Sequence, residues 1–225
     1  MELAPRLIEV AKPDRPQAVV LVLHGGASRR SSAMVSPTQL SVLRMIPIAR
    51  RIAAAAGHRL AVYRVLNSAR GWDAHHTPVQ DVRWALDRVA EANGERLAAC
   101  LVGHSLGGRA ALLSANRPEV SSVVALAPWV YPNEAAGGLD GEQILFVHGS
   151  RDRIASPERS AALAARLRGS ARVGYITVEG GKHAMLRRHS VFDSLAAEFC
   201  SVSLLGSTAT GAIGRLQSGE AWVHV

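Results

Sequence analysis

The stretch Val102-Gly103-His104-Ser105-Leu106-Gly107-Gly108 constrains this chain more than any other. An apolar run of β character, residues 97–102, leads into it. A helical pattern of small residues, 109–116, leads out. A strand passing straight into a helix through G-x-S-x-G sets its serine at the apex of a sharp, strained turn. A side chain at Gly103 or Gly107 would crowd the adjoining strand and helix. The turn lifts the Ser105 hydroxyl above the sheet edge. The Leu106 amide, at the helix N-terminus, points into the same space, where it favours a developing negative charge.

Such a turn needs a parallel sheet around it, and the rest of the chain supplies one. Residues 6–10 read as a short strand, and 18–23 as a continuous apolar run of the kind buried on both faces. Residues 40–56 suit a helix with a kink or start at Pro47 and a stop at Gly57; 59–66 alternate as a strand. Pro78 opens a helix over 79–92 that Gly94 closes. Strands follow at 121–127, 143–147 and 171–178, with a helix from Pro157 to about Arg168 and a last one near 190–200. Strands alternating with helices predict an α/β fold with a mostly parallel central sheet and helices on both faces. The segment 133–142 is too short for a helical lid, so the edge above the serine is expected to be open.

The carboxyl ends of these strands carry the chemistry. After the 18–23 strand comes His24-Gly25-Gly26-Ala27, a turn able to present backbone amides toward the serine across the sheet. Gly26 is the first candidate donor opposite Leu106, with Ala27 as the fallback. After 143–147 comes His148-Gly149-Ser150-Arg151-Asp152, which places an aspartate to accept from an imidazole. After 171–178 comes Glu179-Gly180-Gly181-Lys182-His183, a histidine on a glycine loop able to reach the serine. The isolated histidines His24, His58 and His148 read as structural. Arg70 and Trp72, after the third strand, either wall a substrate pocket or pin their loop. The same choice stands for Trp129 and Tyr131. Met185 is a further candidate for the wall. Arg29 and Arg30 lie on a polar loop as solvated charges or contacts to an anionic substrate.

With 225 residues, 48% hydrophobic and 20% charged, the chain has the length and composition of one globular domain. The net charge of +8 is mostly arginine spread through every segment, which argues against a nucleic-acid partner. No apolar stretch approaches the ~20 residues of a membrane span. Cys100 and Cys200 give no disulfide framework, and no secretory pattern opens the chain, so a cytoplasmic setting is expected. No His-x-x-x-His or Cys-x-x-Cys pair implies a metal. Neither a metal nor an organic cofactor is therefore expected.

The order Ser105, Asp152, His183, together with His24-Gly25-Gly26, resembles the α/β-hydrolase superfamily over residues 18–200. The phrases Gly-His-Ser-Leu-Gly-Gly, His-Gly-Ser-Arg-Asp and Gly-Gly-Lys-His look like its small, lidless bacterial serine hydrolases. The resemblance implies a carboxylic ester or thioester of a small to medium acyl substrate, cleaved through an acyl-serine. Alternatives are an acyltransferase or thioesterase of a biosynthetic pathway, or a catalytically silent ligand-binding relative. Fewer strands precede the His24 turn than in the family's complete eight-stranded sheet. Residues 201–225, rich in Gly, Ser, Thr and Ala, run past the usual last helix. They are expected to form a C-terminal extension, disordered or packed on a partner subunit of a homodimer.

Overall fold

The computed structural model describes residues 4–26, 35–134 and 137–225. Among these residues eight strands form one sheet: β1 (Arg6–Ala11), β2 (Ala18–Leu23), β3 (Leu60–Leu66), β4 (Ala99–His104), β5 (Val120–Leu126), β6 (Gln143–Gly149), β7 (Arg172–Val178) and β8 (Trp222–His224). Their order across the sheet is β1-β3-β2-β4-β5-β6-β7-β8. Only β1 runs antiparallel, against β3; every other pairing is parallel. All six residues of β2 and all six of β4 are buried, which is why β2, and β4 as far as Val102, read as apolar runs.

Alternation within each strand feeds two separate cores. Val19, Leu21 and Leu23 face one side with Val82, Leu86 and Val89 of α3 (Thr77–Asn93), Ala110 of α4 (Leu106–Leu113) and Leu163 of α5 (Pro157–Leu167). Val20 and Val22 face the other. There they join Ile48 and Ile52 of α2 (Met45–Ala55) and Phe192, Ala196 and Cys200 of α6 (His189–Leu205). Helices therefore cover both faces, as the sequence pattern predicts. The expected helix over 40–56 is divided at Arg44 into α1 (Leu40–Leu43) and α2, with Pro47 in the first turn of α2, where a missing N–H costs nothing.

The C-terminal stretch departs from expectation. The boundary expected at residue 200 falls inside α6, which runs on to Leu205 and ends at Gly206 in the left-handed region (φ 64°). Residues 211–224 then form α7 (Gly211–Gln217) and β8, which pairs with β7 through Tyr175↔Trp222, Ile176↔Val223 and Thr177↔His224. Ile213 and Val223 are buried, and Trp222 stacks on Tyr175 at 4.0 Å between centroids. A few well-spaced apolar residues thus dock a segment whose small polar composition reads as an extension. β8 forms the edge of the sheet opposite β1. Among the described residues, no helix is long and apolar enough to cross a membrane. None of their His, Cys, Asp and Glu side chains gather in threes or more to hold a metal ion.

Candidate active site

Ser105 follows β4 directly, and α4 begins at the next residue. Both elements reach the turn more closely than the sequence pattern suggested. The serine backbone sits at φ 57° and ψ −120°, the one strained link between strand and helix. Its N–H donates to the Leu126 carbonyl (3.0 Å), while its carbonyl accepts from Arg109 N (3.1 Å) and Trp129 N (3.1 Å). Close packing explains the glycines. A Cβ on Gly103 would overlap the Gly107 carbonyl, and one on Gly107 would overlap the Leu23 carbonyl.

The loops after β2, β3, β5, β6 and β7 leave the same, carboxyl edge of the sheet as Ser105, the edge where open parallel sheets place ligand sites. The loop after β7 brings His183 Nε2 to 3.0 Å from Ser105 Oγ. The loop after β6 brings Asp152 Oδ2 to 2.7 Å from His183 Nδ1. Since the carboxylate only accepts, His183 carries its hydrogen on Nδ1, and Nε2 accepts from the serine hydroxyl. The other oxygen of Asp152, Oδ1, accepts the amides of Ile154 (2.8 Å) and Ala155 (3.0 Å). Burial pushes this carboxyl up. Hydrogen bonds from His148, His183 and the Ile154 amide outweigh it and hold the group well below the usual carboxylate range.

His104, beside the serine, was not singled out in the sequence. Its Nε2–H donates to the His183 carbonyl (3.0 Å), and its ring lies 4.9 Å from that of His183. Burial, and next the neighbouring His183, lower its pKa to about 3, so the ring stays neutral beside the histidine loop. Its Nδ1 is buried without a hydrogen-bond partner among the described residues.

Leu106 is the first residue of α4, so its N–H has no acceptor within the helix. Gly25 backs onto the serine: a Cβ there would stand 3.1 Å from Ser105 Cβ. Gly26 is exposed beside Gly71. Ala27, Arg29 and Arg30 lie outside the described residues. His24 staples this turn to the next loop, donating from Nδ1 to the Gly25 carbonyl (2.6 Å) and accepting Asn67 N at Nε2 (3.2 Å).

The expected wall residues divide. Trp72 is buried beneath Arg109, whose guanidinium lies 3.9 Å from its ring, so it pins its loop. Arg70 is exposed. Trp129 is half-buried, edge-to-face with the more exposed Tyr131. Both rings flank Arg109, which is paired with Glu134 through two guanidinium nitrogens. Arg109 organises this wall from one helical turn past Ser105, a position that reads in sequence as an ordinary helix charge. A concavity of about 310 Å³ opens beside Asp152, lined by Trp129, Val130, Ile154, Pro157 and Arg159 among others. Met185 is corrected: it is 2% exposed, in the core beneath α6. Its backbone is left-handed (φ 51°), and its side chain packs against Gly181.

No curated protein sequence matches the chain. In fold it is similar to the Xanthomonas campestris serine hydrolase described as without lid. That likeness has TM-score 0.67 and 16% identity, covering 92% of this chain and 90% of that one. It is also similar to Est1E from Butyrivibrio proteoclasticus (TM-score 0.64, 12% identity, 90% and 94%). A third likeness is to an esterase from Pyrobaculum calidifontis (TM-score 0.61, 15% identity, 89% and 81%). Residues 19–144, more than half of the chain and spanning the Ser105 turn, match the sequence profile of the Alpha/beta hydrolase family. With this match and an eight-stranded, largely parallel sheet covered on both faces, the chain belongs to the alpha/beta hydrolase family.

Proposed function

We propose that the protein is a serine hydrolase that cleaves a carboxylic ester or thioester of a small to medium acyl substrate. The reading is carried by one unbroken line of hydrogen bonds, Ser105 Oγ to His183 Nε2 (3.0 Å) and His183 Nδ1 to Asp152 Oδ2 (2.7 Å). His183 takes the hydroxyl proton as Ser105 attacks the carbonyl carbon. Asp152 fixes the imidazole tautomer and stabilises the imidazolium that forms. The carbonyl oxygen, now negative, is held by the Leu106 amide and by an amide of the Gly26 turn. Each such donor is worth ~2.7–4 kcal/mol where tested. His183 returns the proton to the departing alcohol or thiol. The same histidine then activates water, which breaks the acyl-serine bond and releases the acid.

Among the described residues no helix stands between β5 and β6 to shelter a long chain, which favours short acyl groups; Trp129 and Tyr131 offer the apolar surface. The test is a fluorophosphonate label, followed by mass mapping of the adduct, with a series of p-nitrophenyl esters of rising chain length. Expected are an adduct on Ser105, turnover that declines toward long chains, and a loss on the order of 10⁴- to 10⁶-fold in Ser105→Ala. An unlabelled serine, or no cleavage of any ester or thioester in the series, overturns the reading.

A further inference from the structure

The carboxylate that orients His183 has a second imidazole on it. Oδ2 of Asp152 accepts from His183 Nδ1 at 2.7 Å and also faces His148 Nε2 at 3.2 Å. His148 stands at the end of β6 and is 1% exposed; the Asp152 side chain is wholly buried. The other neighbour of His148 Nε2 is the Ala155 carbonyl, also at 3.2 Å. Both neighbours only accept, so Nε2 carries a hydrogen.

In the neutral ring Nδ1 is then an acceptor, and it lies 2.7 Å from Ser160 Oγ, in the first turn of α5. Ser160 in turn is 2.8 Å from the Tyr175 hydroxyl, and the Pro157 carbonyl serves both as an alternative acceptor. Tyr175 is buried between Phe146 and Trp222, and burial pushes its phenol up to about 12, so it keeps its proton. Every hydrogen along Tyr175–Ser160–His148 can therefore point toward Asp152.

Holding the loop alone does not require this line. Oδ1 already receives two amides, which tether the carboxylate to its turn. His148 acts on the other oxygen, the one His183 uses. We propose that His148 is a positioning residue for the hydrolysis inferred above: backed by Ser160 and Tyr175, it holds Asp152 Oδ2 in line with His183 Nδ1. The role rests on the serine-hydrolase reading and adds to it a residue that never meets the substrate.

The test compares His148→Phe and His148→Gln with the wild-type chain, using the best p-nitrophenyl ester and the NMR resonance of the His183 Nδ1 hydrogen. In His148→Phe, kcat falls by about 10- to 100-fold with KM within about threefold, as for partners that orient a reacting group through another. The resonance moves. His148→Gln, whose amide can donate to the same oxygen, recovers most of the rate. If His148→Phe does not fold, Ser160→Ala keeps the ring but removes its support, and a smaller loss of kcat with the same resonance shift is expected. A folded His148→Phe with wild-type kcat, a change confined to KM, or an unmoved resonance overturns the proposal. If wild-type Ser105 takes no fluorophosphonate, the hydrolase reading falls and this role with it. A labelled wild type with an unimpaired His148→Phe sinks the positioning role alone.

Discussion

Ser105 keeps a backbone conformation (φ 57°, ψ −120°) that costs a residue with a Cβ on the order of 1–3 kcal/mol. The surrounding contacts must outweigh that cost, and several are themselves sensitive to protons. His104 is held neutral by burial, its pKa lowered from 6.5 to about 3. The unfolded chain binds a proton below its ordinary value that the folded ring refuses. Stability is therefore complete above that value and drains away as the pH falls toward about 3. At pH 5 this residue alone accounts for about 2 kcal/mol relative to neutrality. His24, also lowered by burial, acts in the same direction, while Asp81, raised by burial, opposes it. Urea unfolding at about pH 7.5 and about pH 5 should show the fall, and His104→Gln should remove most of it. At this scale the meeting of Ser105, His183 and Asp152 side chains was legible in sequence, where residue type and chain order coincide. It was not legible where a side chain's role depends on what stands above it. Arg109 is indistinguishable from a solvated helix arginine until three aromatic rings close around it. Met185 lies two residues from His183 in sequence, yet its side chain packs in the core.

Among the elements, the buried parallel strands stand out in sequence because both their faces are apolar, and β2 matches its expected span at both ends. The elbow helix is harder to delimit. Gly107 and Gly108 precede the helical pattern read at 109–116, yet they lie inside the helix, where β2 and Pro128 leave no room for a side chain. Gly107→Ala should therefore cost about 3 kcal/mol or more, with activity lost in proportion to folded protein. An urea-unfolding midpoint equal to that of the wild type would contradict this account of the turn. The three residues of β8 are illegible for the opposite reason. Only Val223 is fully buried, and the strand exists because β7 offers an edge with Tyr175 ready to stack on Trp222.

For the molecule as a whole, that late-coming strand ties the far edge of the sheet to the line of side chains behind Asp152. Ending the chain after Gly206 removes buried Ile213 and Val223, and also Leu216, which covers Gly174. The shortened protein should lose on the order of 3 kcal/mol or more of stability by urea unfolding. Its kcat should fall further than partial unfolding explains, since Tyr175 loses a flanking ring. The two-core sandwich was foreseeable from strand–helix alternation; its closure at β8 was not, because pairing across the sheet is written in neither segment alone. Finally, the Ser105 elbow brings together stretches of polymer that are remote in sequence: the end of β2 beneath Gly107, Leu126 and Trp129 on the serine backbone, and His183 on its hydroxyl. A nascent or half-collapsed chain has the same serine but none of this company. On the proposed reading, fluorophosphonate labelling at one oxygen atom reports, molecule by molecule, how much of a sample has reached the native state.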